Sequence, residues 1–494
     1  MTTIGRADGL VGSGPGLFER NRIIAKAGFN RWLVPAAALC IHLCIGMAYG
    51  FSVFWLPLSR ALGITAAKTC PDMTLVQELF TTTCDWRIAS MGWMFTLFFV
   101  LLGVSAAIWG GWLERVGPRK AGAVAACCWA GGLMLGGIGV YIHQLWLMWL
   151  GAGVIGGVGL GLGYISPVST LIKWFPDRPG MATGMAIMGF GGGAFIASPL
   201  SVYLMSIFRT ADYVGVAPTF VVMGAIYFVF MMVGAFIVRV PAPGWKPEGY
   251  TPPVQASKLI TTSHVFVYDA LKTPQFWLIW WILCLNVTAG IGVLGQASAM
   301  SQEMFPGHIT PVAAAGFVGL MSLFNMGGRF FWASTSDYIG RKNTYFAFMV
   351  LGFALYCTVP YTGAVGSVEG FVVCFLVIIS MYGGGFSTVP AYLKDMFGTR
   401  YVGAIHGWLL TAWSMAGIFG PVLVNYIREY NITHGVPKAQ AYNVTMYIMA
   451  GLLVIGFICN LLVKAVHRRF HMHPEHEAEL AQAEVAAAGE PAGA

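Results

Sequence analysis

PVAAAGFVGLMSLFNMGGRFFWASTSDYIGRK, residues 311–342, decides how the chain is read. It is an apolar run with one arginine inside it and an acidic-then-basic cluster at its end. At about 1.5 Å of rise per residue, Arg329 lies roughly 12 Å short of Asp337, close to the middle of a bilayer. Placing an arginine there costs about 2.5–3.5 kcal/mol on insertion scales, so such a residue calls for a partner. Assigning the 20 acidic residues to spans and loops leaves none deep in the hydrocarbon. The anion that balances Arg329 is then a ligand, and not part of the chain.

The rest of the sequence carries the same kind of apolar run. Of 494 residues, 57% are hydrophobic and 10% charged, against about 25% charged in soluble domains. Stretches long enough to cross about 30 Å of hydrocarbon recur near 33–58, 88–112, 121–142, 145–172, 181–208, 218–238, 275–300, 312–336, 344–361, 369–392, 402–427 and 442–463. The chain reads as an all-α integral membrane protein with twelve transmembrane helices. Sorting the 28 Lys and Arg by alternating loops gives 21 on one side, 6 on the other and Arg329 within. Both termini are therefore expected on the cytoplasmic side, in an inner (cytoplasmic) membrane. The formal charge of +8 follows from topology and calls for no nucleic acid. Residues 1–32 lack an apolar core, so no cleaved signal peptide is expected and the first span acts as signal anchor.

Eight of the ten cysteines fall in spans, where a thiol behaves as a small apolar group. Cys70 and Cys84 share the first outward loop. A disulfide worth about 3 kcal/mol and two unrelated thiols both remain open there. In the tail, His471, His473 and His476 read as part of a solvated disordered segment. No cofactor or metal is called for: there is no G-x-x-x-x-G-K-[ST] and no ligand-spaced His/Cys/Asp cluster.

An internal repeat sets the architecture. Residues 241–273 hold Pro241, Pro243, Pro247, Pro252 and Pro253 without a continuous apolar run, as a linker would. Across it, Glu114 pairs with Asp337, Lys173 with Lys394, Gly184 with Gly407 and Pro199 with Pro421, at offsets of 221 to 223. The first helices pair at an offset of about 244, setting His42 against Asn286. The expected division is an N-terminal tail (1–32), a six-helix bundle (33–240), a cytoplasmic linker (241–273), a second bundle (274–465) and a disordered tail (466–494). Two pseudo-symmetric bundles place a site between them at mid-depth. In helix 4 Tyr164 and Pro167 interrupt a run of small residues, and the Gly-rich helix 5 is expected to end at Pro199.

With these motifs in hand, residues 30–466 resemble the major facilitator superfamily. The loops GGWLERVGPRK (Gly111, Glu114, Arg115, Gly117, Arg119, Lys120) and STSDYIGRK (Asp337, Gly340, Arg341, Lys342) look like its gating motif and the echo of it. KWFPDRPGMATG, FNMGGRFFWASTSDYIGRK, YGGGFSTVPAYLKDMFG and HGWLLTAWSMAGIFGP resemble the oxalate/formate antiporter family, with monocarboxylate transporters as relatives. The resemblance implies alternating access by a protein that functions as a monomer, its expected partners being the lipid bilayer and a small carboxylate.

Asn325 and Arg329 share a helix face, and a guanidinium holds a carboxylate through two parallel hydrogen bonds. Related monocarboxylate carriers place an acid where Asn325 stands. An amide cannot carry a proton, which favours exchange over proton symport. The oxalate carrier of the resembled family has a lysine where Trp413 stands. One fixed cation matches a monocarboxylate of the formate, lactate or pyruvate class. His42 and His406 are the other groups near mid-depth that can become cationic. Tyr164 and Tyr382 are lining candidates by resemblance, with packing an equal alternative. Oxalate/formate exchange and a transporter-like anion sensor are the competing readings; an enzyme is not expected.

Overall fold

Prolines and glycines mark where these apolar runs begin and end as helices. The computed structural model describes residues 16–68, 70, 73–250, 259–261, 263–473, 475 and 479. The first half holds α1 (Leu33–Ile45), α2 (Ile88–Val116), α3 (Pro118–Tyr141), α4 (Gly156–Trp174), α5 (Pro179–Phe208) and α6 (Val216–Ile237). The second holds α7 (Pro274–Leu294), α8 (Pro311–Ile339), α9 (Arg341–Ala364), α10 (Val368–Phe397), α11 (Val402–Leu409 and Thr411–Thr433) and α12 (Asn443–Leu462). Eleven of the described helices are long and apolar enough to cross a membrane. The twelfth helix, α8, is 29 residues long and carries Asn325 and Arg329 within it.

Proline opens α3, α5, α7 and α8, where its missing N–H costs nothing. Thr273, Thr310 and Ser367 accept from the first-turn amides of α7, α8 and α10. Gly117 and Gly340 end α2 and α8 at φ 84° and 87°. A side chain is strained there, so each glycine permits the tight turn into the next helix. α1 passes into 3-10 turns over Gly46–Phe54, and a π-helical stretch, Trp149–Ile155, precedes α4.

Two local expectations are corrected. Pro199 lies inside α5, which runs on to Phe208, as Pro167 lies inside α4. Neighbouring helices hold the chain helical past a lost hydrogen bond in membrane bundles. The tail is also ordered at its start. His471 pairs with Val265, and the Met472 amide donates to the His264 carbonyl at 2.8 Å; His476 lies outside the described residues. Ile24 likewise pairs with Val240, so the N-terminal segment and the linker lie together on the terminus-bearing face.

The opposite face carries a folded loop. Cys70 and Cys84 are bridged, with Cα atoms 5.9 Å apart. Asp85 accepts from the amides of Leu62, Gly63 and Lys68 at 2.7 to 3.0 Å. Buried Glu78 pairs with Arg87 at 2.7 Å. Trp86 stacks on His143 at 4.3 Å, and the His143 Nε2–H donates to the Cys84 carbonyl at 2.8 Å. Between the halves, the largest contacts join α5 to α8 and α2 to α11.

Candidate functional site

One helical turn brings Asn325 beside Arg329, and Nε donates to Asn325 Oδ1 at 3.0 Å. Nη1 reaches across to the Ile187 carbonyl on α5 at 3.5 Å. Nη2 is buried with no hydrogen-bond partner. The side chain is 0% exposed, and none of the ion pairs among the described residues includes it.

Aromatic rings surround the guanidinium. Its centre lies 5.5 Å from the Phe190 ring and 5.4 Å from the Phe386 ring, contacts that partly offset its burial. Trp413 joins them, 4.2 Å from Phe386, 5.4 Å from both Phe190 and Phe99, and 5.5 Å from Tyr164. Tyr49 on the 3-10 stretch meets Tyr382 on α10, their hydroxyls 3.0 Å apart across the two halves. Backbone glycines make room: a Cβ on Gly383 would lie 2.6 Å from Asn325 Oδ1 and 3.1 Å from Arg329 Cγ.

Arg329, Asn325, Tyr164, Tyr382 and Trp413 thus converge on one interface. His406 on α11 sits beside Tyr164, ring centroids 5.9 Å apart, with both ring nitrogens unpartnered. The Tyr164 Oη and Trp413 Nε1 are also buried without a hydrogen bond. His42 stands behind Tyr164, with Nε2 3.2 Å from the Tyr164 carbonyl. The chemistry available is one fixed cation with a free N–H, neutral donors around it, and apolar walls. Tyr49, Phe99, Phe190 and Phe386 escaped the sequence reading. Phe386 lies one turn beyond Tyr382, which is the only signal that pointed to it.

The two loop motifs form a matched pair of locks between the halves on the terminus-bearing face. Asp337 accepts from the amides of Gly180 and Met181 at the start of α5, at 2.9 and 2.8 Å. Glu114 accepts from the Gly403 amide at the start of α11, at 3.2 Å, and pairs with Lys173 at 2.7 Å. Each carboxylate meets the positive end of a helix in the other half. Arg341 pairs with Asp337 at 2.5 Å and with Asp395 at 3.2 Å. Arg119 donates to the Phe236 carbonyl at the end of α6, and Lys342 to those of Leu461 and Val463 at the end of α12. Arg115, Lys120 and Gly111 are exposed.

Two six-helix bundles meet along α5–α8 and α2–α11, with Arg329 buried between them. The family model of the Major Facilitator Superfamily matches residues 38–421. The chain belongs to that superfamily. It is 26% identical over 393 residues to the oxalate:formate antiporter of Oxalobacter formigenes, covering 79% of this chain and 83% of that one. Apicoplast pyruvate carrier 1 of Toxoplasma gondii is 23% identical, with 90% and 91% covered. Monocarboxylate transporter 11 of Homo sapiens is 23% identical, with 81% and 77% covered. Among solved structures, the E. coli fucose:proton symporter superposes with a TM-score of 0.59 at 15% identity, covering 87% of this chain and 99% of that one. A bacterial homologue of the iron transporter ferroportin, outward-facing, also gives 0.59 at 14% identity, with 87% and 98% covered.

Proposed function

We propose that the chain is a secondary carrier of small monocarboxylates of the formate, lactate or pyruvate class, working by alternating access and by exchange in preference to proton symport. The observation that carries this reading is Arg329, wholly buried between the halves with Nη2 unpartnered and no carboxylate paired to it. A substrate carboxylate supplies the missing charge and acceptor. Asn325, which holds Nε, orients the fork and offers no proton relay. The asymmetry of Lys and Arg between loops supports a bacterial-type inner membrane with both termini, the linker and the two locks on the cytoplasmic side.

Exchange of oxalate for formate is the second reading. His406, unpartnered beside Tyr164, supports it as a group that can take a proton when a dianion enters. Counterflow in proteoliposomes across formate, lactate, pyruvate and oxalate, with and without a pH gradient, tests both. Monocarboxylate counterflow insensitive to the gradient is the expected result. Preference for oxalate would move the reading to the second, uptake that follows the gradient would overturn exchange, and binding without flux would favour a sensor.

A further inference from the structure

Arg329 and the lock at Asp337 are about two turns apart on α8, and one hydrogen bond lies between them. Thr183, on the first turns of α5, has three acceptors for its Oγ1–H: the Ser387 carbonyl on α10 at 2.7 Å, the shortest, and the Pro179 and Gly180 carbonyls of its own helix at 3.0 Å. Ser387 donates in turn through Oγ to the Arg329 carbonyl at 2.7 Å. Thr183 and Ser387 are both 0% exposed, so water does not compete for this bond. Along α5 the order is then Gly180 and Met181 on Asp337, Thr183 on Ser387, and Ile187 on Arg329. Gly184 keeps the helices close enough for this, since a Cβ there would lie 2.9 Å from the Arg329 carbonyl oxygen.

The internal repeat makes Thr183 unusual. The offset that pairs Glu114 with Asp337 and Gly180 with Gly403 also pairs Thr183 with His406. On one side of the pseudo-twofold the bond across the halves is made. On the other, His406 approaches Tyr164 with both nitrogens unpartnered.

We propose that Thr183 is a positioning residue that ties the anion site to the lock: its bond to Ser387 is part of the state closed on the terminus-bearing face and must break when that face opens. Removing the bond therefore favours the open state without touching Arg329. The proposal concerns the conformational equilibrium and stands whatever anion is carried.

The test is amide hydrogen exchange on the full-length protein in nanodiscs, for wild type, Thr183→Val and Thr183→Ser. The Gly180 and Met181 amides precede the first intrahelical acceptor of α5 and are covered by Asp337. The Gly403 amide is covered by Glu114 in the other lock. Their exchange thus reads opening at two separate places. Interhelical hydrogen bonds in membranes imply a rise of about 3-fold, and at most about 18-fold, for Thr183→Val. We expect that rise at residues 180–181 and at residue 403 together, with Thr183→Ser matching wild type. A rise confined to α5, which local loosening alone would give, overturns the proposal. So does no rise at all, or a serine variant that behaves like valine.

Discussion

On the proposed function Arg329 is the residue on which transport turns, and its surroundings set the scale of its loss. Its positive charge is held by one amide, one distant carbonyl and two ring faces, so most of its value lies in binding an anion. Arg329→Gln is expected to lower counterflow by about 100-fold or more, as truncating one side of a buried charge pair does, with folded protein near the wild-type amount. Arg329→Lys is expected to fail also, because an ammonium lacks the planar fork. Counterflow normalised to folded protein checks both, and full activity in either would remove Arg329 from the site. Trp413 is a harder position than its charge count implies. It packs on five rings, so Trp413→Lys sacrifices about 3–5 kcal/mol of packing. Among molecules that fold, the ratio of oxalate to formate uptake is expected to rise; Trp413→Leu, which loses the packing without adding charge, is expected to leave the ratio unchanged.

At the scale of elements, the loop between α1 and α2 is held by a disulfide, two buried carboxylates and one histidine. Burial lowers the pKa of His143 from its ordinary value of 6.5, outweighing the opposing effects of the Cys84 carbonyl and Asp85. A base held neutral in the folded loop stabilises it while the unfolded chain is also neutral. As pH falls below about 6.5 the unfolded form gains a proton that the folded form resists, so the loop loses stability. Protease cleavage within residues 59–88 is expected to quicken between pH 7 and pH 5 in wild type, and this pH dependence is expected to flatten in His143→Gln. Mass spectrometry of non-reduced peptides is expected to find Cys70 joined to Cys84, closing a loop worth about 3 kcal/mol. Two free thiols in natively prepared protein would contradict the bridge.

At the scale of the whole molecule, the two locks are the same device used twice, so each is expected to report on the other. Asp337→Asn weakens the hold on the start of α5 by up to about 2 kcal/mol. If the halves move as bodies, exchange of the Gly403 amide rises roughly tenfold although Gly403 touches Glu114 and not Asp337. An unchanged Gly403 would mean that the two seams open independently. Glu303, on the helix Ala297–Met304 that follows α7, lies apart from this motion. Burial raises its pKa, but Arg428, Tyr442 and Lys438 outweigh that and hold it below the usual carboxylate range, clamping the opposite face of the second half.

By itself the sequence determined the class of protein. Apolar length is local, so twelve spans could be counted, and a repeated offset divided them into two halves. A single arginine in hydrocarbon is conspicuous without coordinates because its cost does not depend on its neighbours. The matched glycines at 117 and 340 were legible for the same reason, as turns written into one short motif. What only the tertiary structure decided is which of many aromatic residues face Arg329. Lipid is as apolar as a bundle core, so a span that turns Phe190 inward carries no polar stripe to say so. The bonds between the halves, Thr183 to Ser387 and Tyr49 to Tyr382, join residues more than 200 positions apart, and only the packing of one bundle on the other brings their hydroxyls within reach.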